Sequence, residues 1–559
     1  MKRLPLLGIL PLFLLSCSSD DLRSTLEETV AIQTDSAHGN ALQEGTNDAI
    51  LRVSGQQLID SSGNAVQLKG VAFSNHYWWE SPEPPPHHTE VDYDRVKEMG
   101  FNSIRFYLDY RWFEDDQNPY VYKQTGWDWL DQNIRWAKER GIYLVVNMHA
   151  PQGRFVDREL TGGLWTNPEN QERLLALWKE IARRYKDEAT IAGFGPVNDP
   201  RPTESLAQWT SLAQRCIDAI RSAGSQHPLF IERTIQVGDS FVANEDFNFP
   251  DVTGQHLVYE FHMYEPIRYT HQLMDFSNLP DGGHYPDDTK VEAPNGTWYT
   301  ATYNNPTLAP GSTGGWKWLE GEKFKITDPS IAYAAPAINV DAIVGQAYFD
   351  NIAINEYDKA GDFVRTIFYD DLENGSEWGF WSQDQSGFFR LAEGEGRDSP
   401  TSLFVEGTRS QADVTHSFKF IPTLGYSYQI NGWAKGVDLA EEGACGIQLF
   451  FFQSPTRVLT RTKTLLEYEI GKYTAWAASR NRALYMGEFG TGAPTFENDK
   501  GGLQYVEDAL AVSLAENLSF AFHTYADINF GIYRAVDAPL TSADANQELI
   551  DVFKDQLRH

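Results

Sequence analysis

Cysteine is almost missing from this chain, which has 3 cysteines among 559 residues. Cys17 lies near the amino terminus, Cys216 falls in a helical pattern, and Cys445 lies in a different predicted domain. We interpret Cys216 as a small buried apolar residue. A disulfide between Cys216 and Cys445 is therefore not expected, and the cysteines do not have the spacing of a metal site.

Basic residues are also scarce. The chain has 46 lysines and arginines against 78 aspartates and glutamates, a formal net charge of −32 and a pI of about 4.7. A chain with this charge repels nucleic acid and anionic lipid surfaces, so we exclude both as partners. We expect a soluble monomer.

The apolar run at the amino terminus is too short for a transmembrane helix. Lys2-Arg3 precede a mostly apolar stretch from Leu4 to Leu15, which is typical of a bacterial secretory signal. Leu14-Leu15-Ser16-Cys17 resembles a lipobox, in which Cys17 becomes the lipidated first residue. We therefore predict residues 1–17 as a lipoprotein signal. The chain would be anchored by lipid to the bacterial outer membrane and exposed at the cell surface. An ordinary cleaved signal, with a secreted or periplasmic product, is the alternative.

A repeating pattern of strands and helices begins after a polar, acidic stretch at 18–49, which we predict to be a flexible tether. Strands alternating with helices of this length predict a parallel sheet with right-handed crossovers. Eight such units close a (β/α)8 TIM barrel, with the active site at the carboxyl ends of the strands. The predicted strands are 66–73, 102–107, 142–148, 191–197, 229–232, 257–262, 484–488 and 519–525. We assign residues 50–285 and 469–559 to this barrel.

The helical period disappears between the sixth and seventh predicted strands. Short alternating runs such as 347–354, 428–433 and 447–452 replace it, separated by glycine, proline, asparagine and aspartate. This pattern predicts an inserted β-sandwich of the jelly-roll type over residues 286–468. The segments 371–375 and 348–354 resemble the start and the end of a carbohydrate-binding module. The sequence leaves open whether the insert binds a structural calcium ion. The pattern does not show which tryptophans of the insert lie in its core and which lie on a binding face. These tryptophans are Trp298, Trp316, Trp318, Trp378, Trp381 and Trp433.

Two acidic residues far apart in sequence each end an apolar strand-like run. Asp199 follows Ile191–Asn198 and precedes Pro200, and Glu488 ends Ala483–Gly487. Two carboxylates that face each other are what cleavage of a glycosidic bond needs, because one protonates the leaving oxygen and the other attacks or stabilises the sugar cation. The structural alternatives are a helix cap for Asp199 and a surface acid for Glu488.

Other polar residues end the neighbouring strands. Arg105 would keep a nearby carboxylate ionised, Asn198 could hydrogen-bond a sugar 2-hydroxyl, and Tyr264 could orient the nucleophile. His149 and His262 also fall at strand ends, as substrate contacts or as structural histidines. Aromatic residues on the loops after the strands are candidate platforms for sugar rings. These are Trp79, Trp112 and Trp165.

Five of these motifs, in this order, resemble those of glycoside hydrolase family 5, the cellulase and mannanase barrels. The matching segments are Ser103-Ile104-Arg105, Asn147-Met148-His149, Asn198-Asp199-Pro200, His262-Met263-Tyr264 and Gly487-Glu488-Phe489-Gly490. The resemblance covers about residues 51–275 and 475–559. It implies Glu488 as the nucleophile and Asp199 as the acid/base of a retaining enzyme, which needs no metal or other cofactor for its chemistry.

The chain departs from the family pattern at two places. The family has glutamate where this chain has Asp199, which is one methylene shorter. The family also ends the eighth strand with a tryptophan under the reacting sugar, whereas this chain offers His523 or Tyr525.

We therefore predict a retaining hydrolase of β-linked glycans, of the cellulase/β-glucanase or mannanase type, that binds a polysaccharide or oligosaccharide. The alternative is a surface glycan-binding lipoprotein without catalysis. The sequence specifies neither the linkage nor endo or exo action.

Overall fold

A computed structural model describes residues 49–155, 158–159, 163–238, 240–242, 244–293, 296–373, 377–455, 458–535 and 539–558. The predicted signal with Cys17 and nearly all of the predicted tether lie outside these residues. None of the helices in the described ranges is long and apolar enough to cross a membrane. The described chain divides into two compact units, one of Asp288–Thr460 and one that runs up to Asp287 and resumes at Arg461.

Eight parallel strands form a closed barrel in the second of these units, which confirms the predicted TIM barrel. The strands neighbour one another in chain order, and the eighth pairs with the first. The barrel strands are Lys69–Phe73, Ser103–Asp109, Tyr143–Ala150, Ile191–Gly195, Leu229–Glu232, Leu257–Met263, Ala483–Phe489 and Ser519–Phe522. The helices of this unit are Glu90–Glu98, Gln124–Glu139, Pro168–Tyr185, Leu206–Ser222, Ile267–Thr270, Lys463–Arg480, Gly502–Ala515 and Gln547–Leu557.

Local sequence explains where these helices begin. Helix Pro168–Tyr185 starts with proline, and the Asn167 side chain accepts the Glu169 backbone N–H as an N-cap. The fifth strand departs from the alternating pattern. Between it and the sixth strand, the described residues contain only the short strands Gln236–Val237 and Ser240–Phe241.

The interior of the barrel has two layers of different chemistry. The lower layer is apolar and includes Val145, Phe230 and Val258, packed with Leu51 and Leu58 of the amino-terminal hairpin. Side chains in a strand alternate between two faces, so the next inward position lies two residues further on. At that position these three strands carry Asn147, Glu232 and Glu260. The barrel therefore changes from apolar to polar toward the carboxyl ends of its strands.

Two antiparallel sheets make up most of the unit Asp288–Thr460. In spatial order, one sheet contains Thr297–Ala301, Ala444–Gln453, Tyr333–Asp341, Ala412–His416 and Trp378–Ser382. The other contains Lys317–Glu320, Ser427–Val437, Gln346–Tyr357, Thr401–Glu406 and Phe388–Glu393, with Phe324–Lys325 and Phe363–Asp370 pairing beside it. Asp287–Ala293 pairs with Leu459–Arg461. Residues of both larger sheets, such as Phe349, Leu403 and Ile447, share one apolar core.

This unit ends earlier than the limit of 468 that the sequence pattern suggests. Residues Lys463–Arg480 form a helix whose Leu466, Ile470 and Tyr473 belong to the core around the barrel. Exposed positions of this helix also carry apolar residues, such as Tyr468, Ala475 and Ala478, so its period is weak in the sequence.

Candidate active site

Glu488 ends the seventh barrel strand and is held by three hydrogen-bond donors. Its Oε1 accepts from Arg105 Nη1 at 2.7 Å and from the Tyr107 hydroxyl at 2.6 Å, and its Oε2 accepts from the Tyr264 hydroxyl at 2.8 Å. Burial alone would raise the pKa of this carboxyl, but the charges of His262 and Arg105 hold it well below its usual range. Glu488 is therefore an ionised carboxylate in a fixed orientation.

Arg105 is fully buried and organises the polar layer. Its Nε donates to Glu260 Oε1 at 2.9 Å and its Nη2 donates to Asn198 Oδ1 at 2.8 Å, in addition to the contact with Glu488. A guanidinium is always charged and presents its donors in a rigid plane. Arg105 consequently fixes side chains from the fourth, sixth and seventh strands relative to one another.

Asp199 lies just beyond the fourth strand and is the most exposed member of the site. Its side chain is 45% exposed. His262 Nδ1 lies 3.2 Å from Asp199 Oδ1, and Asn198 Nδ2 lies 3.3 Å from Oδ2. An exposed carboxyl beside a histidine can exchange a proton with both a ligand and water.

The distance between the two acids can be bounded through His262. Its Nδ1 is 3.2 Å from Asp199 Oδ1 and 3.7 Å from Glu488 Oε2, so these two oxygens lie at most 6.9 Å apart, the sum of the two distances. Retaining glycosidases hold their carboxyl groups about 5–5.5 Å apart, and inverting ones about 6.5–9.5 Å. The limit of 6.9 Å is compatible with the shorter of these arrangements.

Two further carboxyls of the site were missed in the sequence analysis. Glu232 and Glu260 are buried and directly paired across the fifth and sixth strands. Both occupy inward positions two residues after an apolar inward residue, and this period-2 signal could have identified them. Gly487 packs against Glu260, because a Cβ there would overlap the Glu260 carboxyl. The Met-Gly-Glu motif thus needs its glycine for packing.

The histidine and asparagine predicted at the third and fourth strands lie in the same cluster. His149 stacks on the Tyr107 ring with centroids 3.9 Å apart, and its Nε2 lies 3.4 Å from Asn198 Nδ2. Burial lowers the pKa of His149 well below its usual range, so the ring is neutral. The structure therefore brings Arg105, His149, Asn198, Asp199, His262, Tyr264 and Glu488 together, as the sequence order suggested.

At the eighth strand, the structure separates the two candidates for the sugar platform. His523 Nδ1 lies 3.1 Å from the Tyr107 hydroxyl and 3.8 Å from Glu488 Oε2. Tyr525 is 0% exposed, and its hydroxyl donates to Asp92 behind the barrel wall. The prediction of Tyr525 as a substrate contact is wrong, because its ring packs against Phe73 and Tyr533. His523 alone remains at that position.

Two of the three predicted tryptophan platforms are packing residues. Trp112 is fully buried beside Trp129, and Trp165 is buried edge-on against Trp209. Neither offers a ring face to a ligand, so both predictions are wrong in this conformation. Trp79 is 46% exposed and stacks on the His76 ring at 4.3 Å, which leaves its other face available.

Asp199, Glu232 and His262 bring one ligand-type atom each within 4.8 Å of one another. Arg105 Nη2 lies 3.3 Å from His262 Nε2 and 3.7 Å from Glu232 Oε2, so a fixed positive charge already adjoins this group. Like charges repel strongly in a buried site. We therefore interpret the cluster as one that handles protons.

A cavity of about 250 Å³ opens over these residues. Asp199, Glu232, His262, Tyr264 and Glu488 line it together with Tyr473. A larger cavity of about 450 Å³ lies at the opposite end of the barrel, between the hairpin and residues such as Asn481 and Leu518. The chemistry-bearing side chains face the smaller cavity. The fold and the site together define a TIM barrel with paired carboxylates at the carboxyl ends of its strands.

Part of the chain is similar to a known protein family. Residues 59–305 match the family Cellulase (glycosyl hydrolase family 5). Endoglucanase C of Acetivibrio thermocellus is 32% identical over 191 residues, which cover 34% of this chain and 54% of the relative. Residues 59–305, less than half of the chain, are therefore similar to glycosyl hydrolase family 5.

Two other similar proteins extend this comparison. The xyloglucan-specific endo-beta-1,4-glucanase of Bacteroides ovatus is 26% identical over 221 residues, or 37% of this chain and 41% of the relative. The crystal structure of endoglucanase Cel5A from Thermotoga maritima has a TM-score of 0.45 at 16% identity, over 87% of this chain and 96% of that chain. The chain spans about half the length of the curated relatives it matches.

Proposed function

We propose that this chain is a retaining hydrolase of β-linked glycans, with Glu488 as the nucleophile and Asp199 as the acid/base. The observation that carries the proposal is the pair of carboxyls on either side of His262. One is buried, ionised and held by three donors, while the other is exposed and no more than 6.9 Å away. These are the two environments that a nucleophile and a proton donor need.

In the first step, a Glu488 oxygen attacks the anomeric carbon while the Asp199 carboxyl protonates the departing glycosidic oxygen. The bond from the anomeric carbon to that oxygen breaks, and an ester bond to Glu488 forms. The hydrogen bonds from Arg105 and Tyr107 keep the attacking carboxylate ionised and oriented. The Tyr264 hydroxyl orients its second oxygen.

In the second step, Asp199, now ionised, takes a proton from a water molecule that attacks the same carbon. The ester bond breaks, Glu488 becomes free, and the product keeps its β configuration. His262 lies beside both carboxyls, and the carboxylates of Glu232, Glu488 and Asp199 raise its pKa well above its usual range although burial opposes this. A protonated His262 stabilises the charge that moves between the two acids.

The favoured substrates are neutral plant or algal glycans such as cellulose, mixed-linkage glucan, xyloglucan or mannan. The acidic chain disfavours a polyanionic glycan. The names of the relatives, an endoglucanase and a xyloglucan-specific glucanase, support a β-glucan before a mannan.

The experiment that tests the function is release of reducing sugar from a panel of these polysaccharides by the wild-type chain. We expect release from at least one neutral β-glucan. Absence of release from the whole panel and from activated aryl β-glycosides would contradict the proposal.

A non-catalytic glycan-binding protein is the second candidate, and the short, exposed Asp199 favours it. A binder would be retarded by polysaccharide in an affinity gel but would not hydrolyse even an aryl glycoside, whose leaving group hardly needs an acid. The hydrogen bonds that keep Glu488 ionised argue for catalysis, because binding alone does not need them.

The insert has a candidate glycan-binding face of its own. The seven-stranded sheet packs Phe349 and Leu403 into the core, and the alternate residues Tyr348 and Phe404 face the other way, 5.0 Å apart. Trp318 and Trp433 pair on the same sheet with centroids 5.3 Å apart. The Tyr348 and Phe404 rings are buried, whereas Trp318 is exposed, and an exposed flat ring suits the apolar face of a sugar ring.

A cavity of about 560 Å³ adjoins this face. Phe388, which is 52% exposed, lines it with the side chains of Gln346, Glu406 and Asp438. An aromatic ring among amide and carboxylate groups matches the mixed apolar and hydroxyl surface of a sugar. We propose that the insert binds glycan there.

Replacing Phe388 by alanine should weaken retention by the bound polysaccharide at least tenfold, or about 1.4 kcal/mol. Trp381→Ala is the matched control, because Trp381 is an equally exposed aromatic, 54%, on the other sheet. Affinity electrophoresis of both variants measures the effect. Equal retention of the two variants would contradict binding at the Phe388 cavity.

A further inference from the structure

Glu232 is a buried carboxyl that the proposed reaction does not use. Its side chain is only 3% exposed at the end of the fifth strand. Its Oε1 accepts the backbone N–H of Asp199 at 3.0 Å, whereas its Oε2 accepts no hydrogen bond from any residue that the structure describes. Arg105 Nη2 lies 3.7 Å from this oxygen, too far for a hydrogen bond, and a buried carboxyl oxygen without a hydrogen bond costs free energy, so its presence calls for a functional explanation.

The surroundings of Glu232 disfavour its charged form. Burial raises its pKa well above the usual range, and the Asp199 and Glu260 charges add to this, although His262 and Arg105 oppose it. The charged or titratable groups that face it from the neighbouring elements are Arg105, Asp199, Glu260, His262 and Glu488. The ionised form of Glu232 is therefore disfavoured by its surroundings, while its Oε1 accepts the Asp199 N–H.

Asp199 has an unusual backbone conformation. Its φ is +39°, in the left-handed region that residues other than glycine rarely adopt. The preceding Asn198 N–H donates to the Met148 carbonyl at 3.1 Å, and the following residue, Pro200, has no N–H. The hydrogen bond from the Asp199 N–H to Glu232 Oε1 holds the main chain at the acid itself.

We propose that Glu232 is the positioning residue that compensates for the short acid at position 199. An aspartate side chain ends about 1–1.5 Å short of a glutamate, which is one C–C step. Glu232 fixes the Asp199 main chain in the conformation from which this short side chain reaches His262 Nδ1 at 3.2 Å. This inference rests on the proposed function, in which Asp199 is the proton donor.

Two variants of Glu232 separate its shape from its hydrogen bond. Glu232→Gln keeps an acceptor oxygen and resembles the protonated carboxyl, whereas Glu232→Leu keeps the volume and loses the acceptor. We expect Glu232→Leu to lower kcat/KM about 100-fold for a phenyl β-cellobioside, because a misplaced acid costs about that much. With 2,4-dinitrophenyl β-cellobioside, which needs little protonation, the loss should be small. Glu232→Gln should restore most of the activity on both substrates.

The Asp199→Asn background shows whether Glu232 acts through the acid. Since an asparagine side chain at this position cannot donate the proton, adding Glu232→Leu there should change the rate little. Equal losses on the two aryl glycosides, or an undiminished loss in the Asp199→Asn background, would overturn the positioning role. A wild-type chain that hydrolyses neither substrate would instead contradict the proposed function.

Hydrogen exchange tests the positioning role without any turnover. The segment between Pro196 and Pro200 contains only three amides, those of Val197, Asn198 and Asp199. We expect faster exchange in this segment for Glu232→Leu and wild-type exchange for Glu232→Gln. Unchanged exchange in Glu232→Leu would overturn the inference even if the enzyme is inactive.

Discussion

Replacing Glu488 by glutamine is expected to lower the hydrolysis of β-glucan on the order of 10⁴-fold or more, as loss of a nucleophile does in other enzymes. Glutamine has the same shape but cannot form the ester intermediate. Arg105, Tyr107 and Tyr264 contact this side chain and hold it in place. These contacts leave little room for a water molecule to take the place of the lost nucleophile. Initial rates of reducing-sugar release measure the effect.

The matched control is Glu497→Gln, on the loop after the same strand. Glu497 is exposed and pairs only at the surface with Arg534 at 3.2 Å, so its loss should leave the rate unchanged. A Glu488→Gln variant that keeps more than a tenth of the wild-type rate would rule out Glu488 as the nucleophile.

Replacing Asp199 by asparagine is expected to have an effect that depends on the leaving group. The loss should be about 10²- to 10⁴-fold on polysaccharide, which is the usual contribution of a general acid. It should be small for formation of the glycosyl-enzyme from 2,4-dinitrophenyl β-cellobioside, whose leaving group departs without a proton. Pre-steady-state release of dinitrophenol measures this first step separately from the second.

Asp199→Glu tests the geometry of the same residue. The longer side chain restores the family residue but misplaces the carboxyl by about one C–C step, so we expect a loss of roughly 100-fold. Asp115→Asn is the control, because Asp115 is similarly exposed but pairs with Lys123 away from the site. Equal losses for Asp199→Asn on both kinds of substrate would contradict its role as the acid.

The barrel could be predicted from sequence because its signals are local and repeated. Each strand is a short apolar run, such as Tyr143–Ala150, and most are followed by a helix with a regular apolar period. The fifth strand lacks such a helix, and the short apolar run Leu229-Phe230-Ile231 predicts it. The end of the insert was missed because the sequence of helix Lys463–Arg480 carries a weak period.

Only those residues of the candidate site that lie at the ends of predicted strands could be predicted from the sequence. Asp199, Glu488, Arg105 and His262 each stand at the carboxyl end of a strand, where a TIM barrel collects its functional residues. The role of Glu232 depends on which side chains meet across the barrel, and this requires the register between strands. Sequence position alone predicts Tyr525 and Trp112 in the cleft, whereas their rings turn into the core.

Covalent trapping of the intermediate tests the central claim most directly. The wild-type chain would be incubated with 2,4-dinitrophenyl 2-deoxy-2-fluoro-β-cellobioside, digested and analysed by peptide mass spectrometry. The account predicts a single fluoroglycosyl adduct on Glu488, because this carboxylate forms the ester and the fluorine slows its breakdown. An adduct on Asp199 or Glu232, or hydrolysis of glycan with inversion and no adduct at all, would contradict it.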